Sequence, residues 1–140
     1  MHRPAACQKR TRGIIFLLAA VLLAGSAQAE WVLLGRDDAI RYYFDQKSIL
    51  KNGDLTQIVQ LLDFTSAQWV DARTVVGSLK MLIEYDCAKP RLRALASETY
   101  SEQMADGRLV SKEQYPDPKW DPIEPGTTPD KIRQIACARK

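Results

Sequence analysis

Six carboxylates, Asp37, Asp38, Asp45, Asp63, Glu84 and Asp86, are the side chains in this sequence best suited to acid–base chemistry. Two acids about 5 to 9.5 Å apart would serve a glycosidase-like hydrolysis, one giving and one taking a proton. The chain has 17 acids, however, so some pair meets that spacing by chance. Ser78, Ser97 and Ser101 would need a base, and the single histidine, His2, lies in a segment expected to be removed. Without histidine there is no Ser-His-Asp triad, no His zinc site and no His-paired thiol. No Gly-x-Ser-x-Gly elbow or phosphate-cradling glycine loop occurs either. The residues thus predict a non-catalytic protein, with carboxylate-based hydrolysis as a remote alternative. No catalytic residue, cofactor or metal ligand is assigned.

The segment expected to be removed is an export signal. Arg3, Lys9, Arg10 and Arg12 precede the apolar run Gly13 to Ala24, and Ala27-Gln28-Ala29 has the A-x-A form that signal peptidase accepts. The run falls short of the roughly 20 residues that span a bilayer. Residues 1–29 are therefore read as a cleavable signal and 30–140 as one domain beginning at Glu30. No cysteine directly follows the run, so lipid attachment there has no acceptor. The expectation is a bacterial protein, periplasmic or secreted to the cell surface, with no stable membrane insertion after cleavage.

Processing also changes the charge argument. The full chain carries 20 basic and 17 acidic side chains. Four of the bases and none of the acids lie in 1–29, so the remainder has a net charge of −1. A near-neutral exported chain is a poor nucleic-acid binder. Hydrophobic residues make up 46% of the sequence, enough for a packed core. Cys7 leaves with the signal, and Cys87 and Cys137 remain. An even pair in an oxidising compartment reads as a disulfide, against two buried thiols or half a metal site.

The elements that must position these residues are mostly strands. Glu30 to Arg36 and Ile40 to Asp45 read as the first two, the second with Ile40, Tyr42 and Phe44 on one face and Arg41, Tyr43 and Asp45 on the other. Asn52-Gly53 marks a turn before a strand over Leu55 to Phe64, whose faces the mixed pattern leaves unassigned. Thr65 to Val76 has no clean period and reads as a long connection. Ser78 to Cys87 alternates clearly: Leu79, Met81, Ile83, Tyr85 and Cys87 face the core, and Ser78, Lys80, Leu82, Glu84 and Asp86 face away. Arg91 to Gln103 and Arg108 to Tyr115 form a hairpin across Asp106-Gly107. Pro116, Pro118, Pro122, Pro125 and Pro129 make the segment around Trp120 an extended arm rather than sheet or helix. Thr128-Pro129-Asp130 announces a final helix with an Ile132, Ile135, Ala136 stripe, and Arg139 and Lys140 suit its C-terminal dipole. Cys137 sits on the flank of that stripe, so the helix is expected to fray or turn to reach Cys87.

The ordered landmarks resemble the surface-adhesin protein E family of exported bacterial domains. They are Trp31; Tyr42-Tyr43-x-Asp45 with Ser48-Ile49; Asn52-Gly53; Ser78; Tyr85-Asp86-Cys87; Arg91 and Arg93; Tyr100; Gly107; Trp120-x-Pro122-Ile123-x-Pro125-Gly126; and Cys137. The resemblance spans essentially the whole chain after the signal. It implies an α+β fold, about six antiparallel strands with a C-terminal α-helix tied to the sheet by a disulfide. It also implies a protein-binding function, with a host extracellular-matrix protein as partner. A periplasmic accessory or inhibitor protein that binds a bacterial partner is the alternative, and a second copy of the chain, giving a homodimer, is a further candidate.

If the helix covers the Leu79, Met81, Ile83 and Tyr85 face, the opposite face brings Arg41, Tyr43, Lys80, Leu82 and Glu84 onto one sheet surface. Tyr43 and Leu82 would be apolar points among charges, the makings of a modest interface. Lys89, Arg91 and Arg93 form the one local cationic cluster, read most simply as a solvated strand end near the disulfide.

Overall fold

The computed structural model describes residues 28–138. The residues 1–27 of the expected signal, and Arg139 and Lys140, lie outside that range. Among the described residues, eight strands form one antiparallel sheet: β1 (Trp31–Arg36), β2 (Ile40–Asp45), β3 (Leu50–Asn52), β4 (Leu55–Trp69), β5 (Val75–Asp86), β6 (Arg91–Tyr100), β7 (Leu109–Gln114) and β8 (Asp121–Pro122), followed by the helix α1 (Thr128–Ala138). The spatial order is β1-β2-β4-β5-β6-β7, so each main strand pairs with its neighbour in sequence. Short β3 pairs with β4 beyond the end of β2, and short β8 pairs with β6 beyond the end of β7. Eight strands thus occupy six lanes, the architecture that the family resemblance implied.

Hairpin chemistry explains the meander. Asn52-Gly53 turns β3 into β4 with Gly53 at φ 61°, the left-handed conformation that a Cβ disfavours. Asp37 Oδ1 accepts the amides of Ala39 and Ile40, both at 2.8 Å, and so closes the β1–β2 turn. Thr65 to Val76 is not a loose connection. β4 continues to Trp69 and β5 starts at Val75, with Trp69 paired to Val75 after a register shift beyond Asp63. Residues 65–73 are exposed, so no buried face imposes a period of two on their sequence.

The helix covers one face of the sheet. Phe44, Ile58, Ile83 and Tyr85 pack there against Ile123, Ile132 and Ala136. Ile135, read as part of the apolar stripe, stays 39% exposed. Asp130 Oδ2 reaches back to the Gly126 amide at 2.9 Å, and the Thr127 carbonyl accepts from Lys131, so the helix is capped one residue earlier than the sequence pattern suggested. Cys137 lies within the last helical turn and is bonded to Cys87 at a Cα separation of 5.7 Å, so the helix reaches the sheet without fraying. Arg133 strengthens the tie by donating to the carbonyls of Asp86 and Cys87 at 2.8 and 2.9 Å. The proline arm also differs from expectation. Asp121 and Pro122 bridge to Leu92 and Arg91, and Ile123 is buried beneath the helix side.

Candidate functional site

The face away from the helix is built in cross-strand rows, because directly opposed residues of antiparallel strands point the same way. One row runs Tyr43, Leu61, Lys80, Glu98, Lys112 across five lanes. On one side of it lies Arg41, Asp63, Ser78, Tyr100. On the other side lie Val59, Leu82, Ala96 and then Gln57, Glu84, Arg93. The register therefore puts Arg41, Tyr43, Lys80, Leu82 and Glu84 on one surface. Only Leu61, itself fully buried, separates Tyr43 from Lys80 along their row.

The rows differ in what they offer to solvent. Tyr43, Arg41, Lys80 and Leu82 are half-buried. Glu84 and Asp86, expected to face solvent, are 6% and 4% exposed. Each is covered by its cross-strand arginine: Arg93 meets Glu84 at 2.6 Å and Arg91 meets Asp86 at 2.8 Å. Trp120 lies against both guanidinium groups, at 4.4 Å from Arg91 and 4.3 Å from Arg93. This corrects the reading of that cluster as a solvated strand end: only Lys89 of the three is exposed. Burial opposes ionisation of Asp86, but Arg91 and the amides of Ala88 and Lys89 outweigh it and hold the pKa below the ordinary value.

β6 ends at Tyr100 rather than Gln103, and its link to β7 is not a tight turn at Asp106-Gly107 but a strap, Ser101 to Arg108, that crosses the Asp63 end of this face. Met104 donates its amide to Asp63 Oδ1 at 2.6 Å and Ala105 to Ser78 Oγ at 2.9 Å, while Ser78 Oγ donates to the Glu102 carbonyl at 2.6 Å. Both Met104 and Ala105 sit at φ 58°, unusual for residues with a Cβ, and these bonds are what hold them. Gly77 permits the approach, since a Cβ there would lie 2.3 Å from the Glu102 carbonyl carbon. Asp63 is fully buried and pairs with Arg41 at 2.7 Å.

Two adjoining clefts result. One of about 740 Å³ lies between β1 and the strap, with Ala29, Trp31, Asp45, Val59, Lys80 and Met104 in its walls. A smaller one, about 190 Å³, shares Val59 and Lys80, has Leu82 and Ala96 in its floor, and is flanked by Glu98 and Lys112. Lys112 and then Lys80 hold the Glu98 carboxyl down at about 2. Burial works against the Lys80 ammonium, but Glu98 and Tyr100 more than compensate and raise its pKa. Val59, Glu98, Lys112 and Met104 were not singled out from sequence, and Trp31 was marked only as a landmark of the family resemblance. Alternation in β7 could have suggested Lys112, but only register shows that it shares Glu98 with Lys80.

Five of the six carboxylates have structural partners, and Asp38 is exposed. Asp37 closes a turn and Asp45 caps the 3-10 turn Gln46–Ser48, while Asp63, Glu84 and Asp86 each hold an arginine. Among the described residues no group of three or more His, Cys, Asp or Glu could hold a metal ion, and no helix is long and apolar enough to cross a membrane.

A meander sheet with one face shielded by a disulfide-tied helix and the other left open defines the class of α+β domain. Within it, the chain belongs to the surface-adhesin protein E family, whose model matches residues 31–138. Solved structures agree in fold. A structure of Haemophilus influenzae protein E is 19% identical with a TM-score of 0.63, covering 81% of this chain and 87% of that one. A second crystal form gives 19%, 0.64, 81% and 91%, and protein E from non-typeable Haemophilus influenzae gives 20%, 0.56, 79% and 86%. A search of curated proteins finds no match.

Proposed function

We propose that this protein is a non-catalytic binding domain that engages a protein partner through the helix-free face of its sheet. The observation that carries the reading is the register. It gathers Arg41, Tyr43, Lys80 and Leu82 around buried Leu61, beside two clefts that the helix does not occupy. A polar rim around half-buried aromatic and aliphatic points suits a protein surface better than a small molecule. Membership of a surface-adhesin family supports adhesion, and the partner in this reading is an extracellular-matrix protein of a host, met at the bacterial surface. A bacterial partner in the periplasm would use the same chemistry.

The test is the double variant Tyr43→Ala with Leu82→Glu, checked for native circular dichroism and then assayed on immobilised matrix proteins and on periplasmic extract. Loss of two central contacts should weaken binding at least about tenfold. Capture on matrix proteins supports adhesion, and capture only from periplasmic extract supports the accessory role. Unchanged binding by a folded double variant would move the docking surface to an edge strand or the proline arm.

A further inference from the structure

The backbone nitrogen of Glu30 lies 3.1 Å from Asp45 Oδ1, and the Glu30 carbonyl accepts from the Gln46 amide at 3.2 Å. The processing motif Ala27-Gln28-Ala29 ends at that same nitrogen. A sequence signal and a fixed contact thus meet at one atom, and the geometry points to Asp45 as the receptor for the α-ammonium group of the mature protein.

In the uncut chain this nitrogen is a neutral amide with a single proton to donate. Signal peptidase hydrolyses the Ala29–Glu30 bond with water. The carboxylate leaves on Ala29, and the new amine on Glu30 takes up a proton to become an ammonium. Cleavage accompanies export and precedes folding, so the charge is present when β1 joins the sheet. The Asp45 carboxylate already makes the amide contact a charge-assisted one; the ammonium adds the attraction of the opposite charge and two further protons to donate. The groups around it are two carboxylates, Asp45 and that of Glu30 itself, and one cation, Lys47, whose Nζ is 3.1 Å from the Glu30 carboxylate. Asp45 Oδ1 also accepts the Lys47 amide at 3.0 Å, which fixes its position. Lys80 and Asp106 line the same cleft farther along.

Processing has a second effect. Gln28 and Ala29 are part of the wall of the larger cleft beside Trp31, so their departure opens that end of it. Cleavage therefore fastens the edge strand and clears the binding face in one step. The inference rests on residues 1–29 being a signal, and the experiment separates the two. The mass of the exported protein reports where it begins, and a start other than Glu30 overturns the maturation step. Independently, protein released from a fusion to begin at Glu30 is titrated by NMR at its α-amine. The amine should titrate about one unit above its ordinary 7.7–8.0, and Asp45→Asn should return it to that range. Because Asp45 also caps a turn, an N-acetylated form serves as a second probe, since it keeps the N–H but not the charge. Wild-type stability should fall as pH rises from about 8 through the raised pKa, and the acetylated form should show no such fall. An amine with an ordinary pKa, or one unmoved by Asp45→Asn, overturns the receptor role.

Discussion

Trp120 shows how a single side chain joins separate parts of the chain. It comes from the proline arm and lies on two arginines of β6, which in turn cover the buried carboxylates of β5. Its removal would leave Glu84 and Asp86 less shielded and would loosen the hold on Ile123, whose amide donates to Pro90 at 2.8 Å. Trp120→Ala should cost about 2–4 kcal/mol in urea unfolding, and the Ile123 amide should exchange faster. Glu98 gives a residue-scale prediction in pH. Its pKa is lowered from 4.5 to about 2, chiefly by Lys112 and then Lys80. A depressed carboxylate stabilises the fold above its unfolded pKa, and that contribution is lost as pH falls from about 4.5 toward 2. Allowing for solvent screening, about 1 kcal/mol is at stake. Glu98→Gln should flatten that part of the acid stability curve, measured by chemical denaturation at a series of pH values.

At the scale of elements, α1 is attached by packing, by Arg133 and by a disulfide. The bridge joins residues 50 positions apart, and closing a loop of that size in the unfolded chain is worth about 4 kcal/mol. Cys87→Ser should therefore lower stability by about 2–5 kcal/mol and leave Cys137 open to thiol reagents after denaturation. Two reactive thiols in the untreated, denatured wild-type protein would contradict the bridge. β5 was legible from sequence because its two faces meet different surroundings, with Ile83 and Tyr85 under the helix and Lys80 and Leu82 on the open side. The tip of the β4–β5 hairpin was not legible, because exposure on both faces leaves no alternation to read. Trp69 and Val70 there are 69% and 62% exposed. The strap was equally hidden, since its hold on Asp63 and Ser78 joins residues far apart in sequence.

For the molecule as a whole, the helix makes the two sides of one sheet unequal. One side is core; the other keeps Arg41, Tyr43, Lys80 and Leu82 partly accessible, between the strap at one end and Trp120 at the other. The binding prediction belongs at this scale: Tyr43→Ala with Leu82→Glu alters the open side without touching the cluster under α1, so fold and binding should separate. The amino-acid sequence by itself determined the strand alternation of β2 and β5, the turn at Asn52-Gly53, the antiparallel pairing of β6 with β7 though not the strap that joins them, the start of the helix within a residue, and the pairing of Cys87 with Cys137. These follow from local torsional preference, from period, and from cysteine count. It also placed Arg41, Tyr43, Lys80, Leu82 and Glu84 on one side, because the side of a strand residue depends only on parity once the core face is known. Only the tertiary structure decided which of these reach solvent. Glu84 is buried because register sets Arg93 opposite it and the arm folds Trp120 over both, while Lys80 is held to Glu98 by the same logic two rows away. Burial and partnership depend on which strands become neighbours and on what packs above them. Those are long-range contacts, with no counterpart in the spacing of residues along the chain.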